Sequence, residues 1–197
     1  MRLEGMDWTK SSAHRVVLEW LRAERSKFED FRDGPDRTRA LALIESGNLD
    51  APVENHERLR YLFFIRRPMW PEIPPDTEWF EVRALTRESF SELHVIRFVG
   101  WDDARDANEL AAVAARHPIA LTKSPAEWNT PILFGHTKAG PFTILEGNKR
   151  LIALAGAGAS ADFSIPVIVG LSPTPCFFHA FDPPGMICQD LWEIPLL

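Results

Sequence analysis

The sequence predicts an α+β chain: a mixed sheet with flanking helices, preceded by a helical N-terminal subdomain. Three observations carry this expectation. Apolar residues recur at three- and four-residue spacing within residues 11–66, four prolines crowd into residues 68–75, and from Thr77 short β-prone runs alternate with helix-forming segments. The expected division is a helical subdomain at 1–70, a Pro-rich linker at 71–76 and a second domain at 77–197 with a C-terminal wrap.

The first helix is expected to start at a Ser11-Ser12 cap and to run to Phe31. Val17, Trp20, Leu21, Glu24, Phe28 and Phe31 lie on one stripe, with Glu24 as its polar break. Asp33-Gly34-Pro35 interrupts the chain. Asp36 then caps a second helix through Ala40, Leu41 and Ile44, which Gly47 ends as a C-terminal glycine. A third helix spans Glu54 to Arg66, with His56 and Glu57 read as its solvated first turn. Arg66-Arg67 at its end reads as a surface cation pair, the alternative being a polar contact to the second domain or to a ligand.

In the second domain, 79–85 alternates as a strand and Thr86 with Ser89-Phe90 suggests a short capped helix. Residues 93–99 are a further β-prone run. Asp102-Asp103 follows in a turn that suits either Mg²⁺ or the cap of a helix at 107–115, and capping is the preferred reading. Residues 119–122 make a brief strand. Residues 131–134 and 142–145 form a hairpin around 138–140, a helix runs from 148 to 157, and strands follow at 165–169 and 176–181. Trp192 and Ile194 mark a tail that wraps onto the core.

Composition narrows the function classes. Apolar residues at 45% and charged residues at 25% are ordinary for a folded globular chain. No run approaches the roughly 20 apolar residues of a membrane helix, and the first residues lack a signal-peptide core, so a cytoplasmic location is expected by default. Cys176 and Cys188 have neither CxxC spacing nor nearby His pairs and are expected to be reduced, structural thiols. Residues 1–70 carry a net charge of +1 and residues 71–197 one of −7. So acidic a second domain is poorly made for sequence-independent DNA binding.

Against that background Lys149-Arg150 is the only adjacent cation pair in residues 71–197. It sits in Thr143-Ile144-Leu145-Glu146-Gly147-Asn148-Lys149-Arg150-Leu151-Ile152-Ala153-Leu154, which reads as strand, tight turn and helix. First-turn N–H groups lack intrahelical partners and carry the positive end of the helix dipole, so such a turn favours a phosphate-sized anion. Glycine permits close backbone approach, and arginine offers a planar fork to phosphate oxygens.

An acid-Gly turn with a following cation pair, opening an Ala-rich helix and followed by Ile165-Pro166-Val167-Ile168-Val169, resembles the ParB/sulfiredoxin-like fold over about residues 77–170. The resemblance implies nucleotide binding, with phosphates held by Gly147, Asn148, Lys149 and Arg150 and with Glu146 available to a metal or a reacting proton. Two departures narrow it. Sulfiredoxin needs a cysteine where Asn148 stands, which excludes its redox chemistry. Partition proteins carry a second acid and a second arginine in the turn and a DNA-binding domain after it, which makes DNA an unlikely partner here.

The function expected first is therefore a nucleotide-dependent enzyme, an NTPase or small phosphotransferase. Its cofactors would be a nucleoside triphosphate or diphosphate and Mg²⁺, with Glu146 as metal ligand or proton acceptor. His136 in the hairpin is a candidate proton shuttle, and Asn129 is a candidate ligand-orienting amide. The alternative is a non-catalytic module that senses a nucleotide or phosphorylated small molecule and meets a protein partner or second copy through residues 1–70. Nucleic-acid processing is the weaker third reading, carried by family analogy alone.

Overall fold

In the computed structural model, residues 5–29, 35–66, 69–85, 89–90, 93–95, 112, 129–156 and 165–176 are described. Their elements in order are β1 (Trp8–Lys10), α1 (Ala13–Ala23), α2 (Arg25–Glu29), α3 (Pro35–Ser46), α4 (Pro52–Arg66), a 3₁₀ turn (Trp70–Glu72), β2 (Glu78–Leu85), β3 (Leu93–Val95), β4 (Ile132–Gly135), β5 (Phe142–Glu146), α5 (Asn148–Gly156) and β6 (Ile165–Leu171). The chain is α+β with one six-stranded mixed sheet in the order β1-β2-β6-β4-β5-β3. The β1–β2, β2–β6 and β4–β5 pairs are antiparallel, whereas β4–β6 and β3–β5 are parallel.

Period-two alternation splits the inner strands between two cores. Leu133, Phe142, Ile144, Val167 and Val169 face α5 residues Leu151, Ile152 and Leu154. Ile132, Phe134, Leu145 and Ile168 face the N-terminal helices, meeting Val17, Trp20, Leu21 and Leu62. The sheet is thus a middle layer buried on both sides, which is why β4 and β5 read as near-continuous apolar runs.

Ser12 caps α1 as expected, its hydroxyl accepting from the Arg15 N–H. The long first helix is instead two helices that break at Glu24. Glu24 is buried and its carboxylate is held by Arg66 and Lys27, so the polar break of the stripe is turned inward onto a charge partner. Gly47, with φ 59°, follows the end of α3, and Asp36 lies in that helix's first turn rather than capping it. Residues 8–10 add a strand that the helical reading of 1–70 did not include.

The proline-rich stretch is packed. Met69 is buried, Trp70 stacks on Trp79 with centroids 6.5 Å apart, and Trp70 also meets Trp20 edge-on. Trp79 in turn lies against Gly170, where an added Cβ would approach its ring to 2.7 Å, so glycine makes room for this stack. The hairpin, the 148–156 helix and the 165–171 strand are where the pattern expected them. The expectations at 102–103, 119–122, 177–181 and 192–194 lie outside the described residues, as do all of 107–115 except residue 112, Cys188, most of the short helix after 85 and the end of the run at 93–99.

Candidate functional site

The turn between β5 and α5 is built by Gly147. Its φ of 95° is a conformation that side-chain-bearing residues rarely adopt. A Cβ there would meet Pro131 Cβ at 3.1 Å and Arg150 Nη2 at 3.3 Å. The close approach that this glycine permits is therefore to the protein's own Pro131 and Arg150. Its carbonyl accepts from the Leu151 N–H at 3.0 Å, which starts α5.

Helical rotation separates the two adjacent cations. Lys149 is exposed. Arg150 turns back over the turn: Nη2 donates to Glu146 Oε1 at 2.7 Å and Nη1 to the backbone carbonyl of Asn129 at 2.7 Å. The structure thus brings Asn129 to the turn through its main-chain carbonyl. Asn148 Nδ2 donates to the Ile144 carbonyl at 3.2 Å, while its buried Oδ1 has no partner among the described residues.

Glu146 is held by a second guanidinium that sequence reading placed on the surface. Arg66, the last residue of α4, brings Nη2 to 3.8 Å from Glu146 Oε2 while pairing closely with Glu24. Lys27 holds the other Glu24 oxygen at 2.7 Å. Burial lowers the Arg66 pKa from its ordinary value and the Glu146 charge opposes that shift. Arg66 Nε is buried without a partner among the described residues. A chain of alternating charge, Lys27–Glu24–Arg66–Glu146–Arg150, therefore runs from the helical layer into the turn. The signal for it was the buried-stripe acid Glu24, which required a cation from another element.

His136 is not part of this arrangement. The register pairs Ile132 with Glu146 and Gly135 with Phe142, so His136 lies beyond the far end of β4, roughly 13 Å along the strand from Ile132 at about 3.3 Å per residue. Its Nδ1–H donates to the Ser172 carbonyl at 2.7 Å, and its ring meets Phe134 edge-on. That end of the sheet is a clamp: the Ser172 and Thr174 hydroxyls donate to the two Asp76 oxygens at 2.7 and 2.9 Å, and these bonds, Ser172 first, lower the Asp76 pKa. The structure therefore does not bring His136 and Glu146 together: they lie at opposite ends of the β4–β5 pair.

The expected metal role of Glu146 meets a competing arrangement, since both its oxygens face guanidinium groups. Among the described residues no group of three His, Cys, Asp or Glu side chains is placed to hold a metal ion. Among the same residues no helix is long and apolar enough to cross a membrane.

A concavity of about 330 Å³ lies apart from the turn, between α1, α4 and the 3₁₀ turn, and is lined by His14, Val17, Asn55, His56, Leu59 and Trp70. Its polar wall is anchored from below. Fully buried Arg58 donates to the Leu43 and Asn48 carbonyls, Asn55 Oδ1, Ser46 Oγ and Glu54 Oε2, so all five of its N–H groups are used. Because Asn55 Oδ1 accepts from Arg58, its Nδ2 must face the Leu49 carbonyl at 2.6 Å and His14 Nδ1 at 3.3 Å. His14 Nδ1 is then the acceptor, which leaves the ring proton on Nε2.

Comparison with known proteins finds no family model that matches the chain, no similar curated protein and no solved structure with a matching fold.

Proposed function

We propose that the chain is a binding module for a nucleotide or another phosphorylated small molecule, of ParB/sulfiredoxin-like fold, with phosphate oxygens held at residues 147–150. The observation that carries this reading is the convergence at one turn of a helix start, an exposed Lys149 and two guanidinium groups, Arg150 and Arg66. N–H groups at the start of α5 and its dipole favour an anion there, and arginine forks add bidentate recognition of phosphate. Binding without chemistry is preferred because Glu146 is engaged by both arginines rather than presented as a base.

The enzymatic reading keeps one observation in its favour: Glu146 is the carboxylate adjoining the turn, where a phosphotransferase or NTPase would use it toward Mg²⁺ or a proton. Calorimetric titration with ATP, CTP, GTP and ADP, with and without Mg²⁺, tests both. The binding reading expects micromolar-to-millimolar affinity that Lys149→Ala weakens and Arg150→Ala abolishes, without phosphate release over hours. Phosphate release with Mg²⁺ would favour the enzyme. No heat with any nucleotide, or undiminished binding by Arg150→Ala, would reject the turn as the site.

A further inference from the structure

The carboxylate of Glu146 stands where an incoming oxyanion would be received. Its Oε1 accepts from Arg150 on α5 at 2.7 Å, and its Oε2 lies 3.8 Å from Arg66 on α4, so one carboxylate bridges guanidinium groups from opposite sides of the sheet. Each arginine also has an anchor other than Glu146. Arg150 is tied to the Asn129 carbonyl at 2.7 Å, and Arg66 is held by Glu24, itself braced by Lys27 at 2.7 Å. Withdrawing Glu146 would therefore leave two positioned guanidinium groups rather than two loose side chains. Two buried polar atoms on the residues flanking Glu146, Arg66 Nε and Asn148 Oδ1, lack partners among the described residues.

Resting on the phosphate reading of the turn, we propose that Glu146 is a built-in occupant of the anion site: its carboxylate bridges Arg150 and Arg66, and a terminal phosphate binds by displacing it, with Arg66 as the second guanidinium. The ligand class follows from charge and shape. A carboxylate brings one negative charge and two oxygens, whereas a terminal phosphate brings about −1.5 to −2 and three oxygens, enough to replace both contacts and still reach the start of α5. A carboxylate ligand lacks both the charge and the third oxygen, and a sulfonate, with three oxygens, lacks the charge. The site thus discriminates for phosphate monoesters, pyrophosphate and nucleotide termini, and Glu146 sets the threshold that a competing anion must exceed.

The experiment is calorimetric titration of inorganic pyrophosphate and of ATP, without metal and at low salt, into wild type, Glu146→Gln, Glu146→Asp and Glu146→Gln/Arg66→Gln, after thermal melts establish that each is folded. Glu146→Gln should bind pyrophosphate about tenfold more tightly than wild type, the size of one charge-assisted contact released. Glu146→Asp, too short to bridge both arginines, should show a smaller gain, and Arg66→Gln should cancel the gain in the double variant. If wild type binds while Glu146→Gln and Glu146→Asp bind no more tightly, the occupant role is overturned and the phosphate site stands. A gain that survives Arg66→Gln removes Arg66 from the site. Absence of binding by wild type and every variant rejects the phosphate reading and the occupant role together.

Discussion

Arg58→Met measures how firmly the helical layer holds the α4 that carries Arg66. Arg58 is 0% exposed, and its five donors reach acceptors on α3, the α3–α4 connection and α4 itself. Its bonds to the Leu43 carbonyl and to Asn55 Oδ1 are the most deeply buried, and orphaning such an acceptor costs about 1–3 kcal/mol, so the two together lose about 2–6 kcal/mol. Methionine refills the aliphatic volume and removes the burial penalty of the guanidinium, while Glu54 is partly open to water and recovers hydration. The net expectation is a loss of about 3–5 kcal/mol, the usual consequence of breaking a buried, hydrogen-bonded charge. That is a large part of the roughly 5–15 kcal/mol that holds a domain folded. Arg58→Lys keeps the charge but has three donors on one nitrogen and should lose about 2–3 kcal/mol. Urea unfolding followed by tryptophan emission reads both, because Trp70 contacts both Trp20 and Trp79 in the adjacent core. Arg39→Ala, which removes an exposed pair with Glu57, is the control and should cost less than about 1 kcal/mol. An Arg58→Met value indistinguishable from that control would refute the reasoning.

Three further outcomes follow from single residues. Gly147→Ala should destabilise the fold by about 1–3 kcal/mol, because φ 95° and the 3.1 Å approach to Pro131 both oppose a Cβ; an unchanged melting temperature would contradict that turn geometry. Burial raises the Glu72 pKa from 4.5, so Glu72 binds its proton more tightly folded than unfolded, and its contribution to stability falls as pH rises from 4.5 through the raised value. Glu72→Gln should therefore melt higher than wild type at neutral pH, with the difference closing below pH 4.5, and a lower neutral melting point would reverse the sign. Asp76 has the opposite linkage: hydrogen bonds from Ser172 and Thr174 lower its pKa from 3.8, so its contribution is present above 3.8 and lost as pH falls through the depressed value. Melting of Asp76→Asn should approach that of wild type in acid and fall below it at neutral pH, and parallel curves would exclude the linkage.

Elements with a single strong period were legible in the sequence. The Val17–Trp20–Leu21 stripe gave α1, the Phe142–Leu145 run and the Ile165–Val169 run gave strands, and the Glu146-Gly147 step gave the start of α5. Strand β1 was hidden because three residues are too short for alternation to show, and only pairing with 80–82 makes them a strand. The break at Glu24 was hidden for another reason: local propensity favours one continuous helix, and the carboxylate that ends it answers to Arg66, 42 positions later. Over the described residues 69–75 the prolines leave no α-helix or strand, but they gave no sign of the 3₁₀ turn at Trp70–Glu72 or of Trp70 stacking on Trp79. The site divides likewise. Its backbone turn was legible because glycine and helix-start chemistry are local, whereas Arg66 came from another layer and His136 was set apart by strand register.

Charge counting along the chain also needed the third dimension. Lys149 and Arg150 look like one dibasic unit, but consecutive helical residues point about 100° apart, so one faces water and the other covers Glu146. Among the described residues the fold links four cations to the turn, Lys27, Arg66, Lys149 and Arg150, against two carboxylates, Glu24 and Glu146. The surplus is +2, drawn from both halves of the chain, whereas residues 71–197 as a whole carry net −7. At physiological salt the screening length is about 8 Å, so an anion near the turn responds mainly to this local surplus and little to the acidic remainder. The acidic remainder still repels polyanions, which must lie along many residues at once. On the proposed phosphate reading, a small phosphorylated ligand would meet the surplus alone, and that difference of scale would set a nucleotide-sized ligand apart from DNA for a chain of overall negative charge.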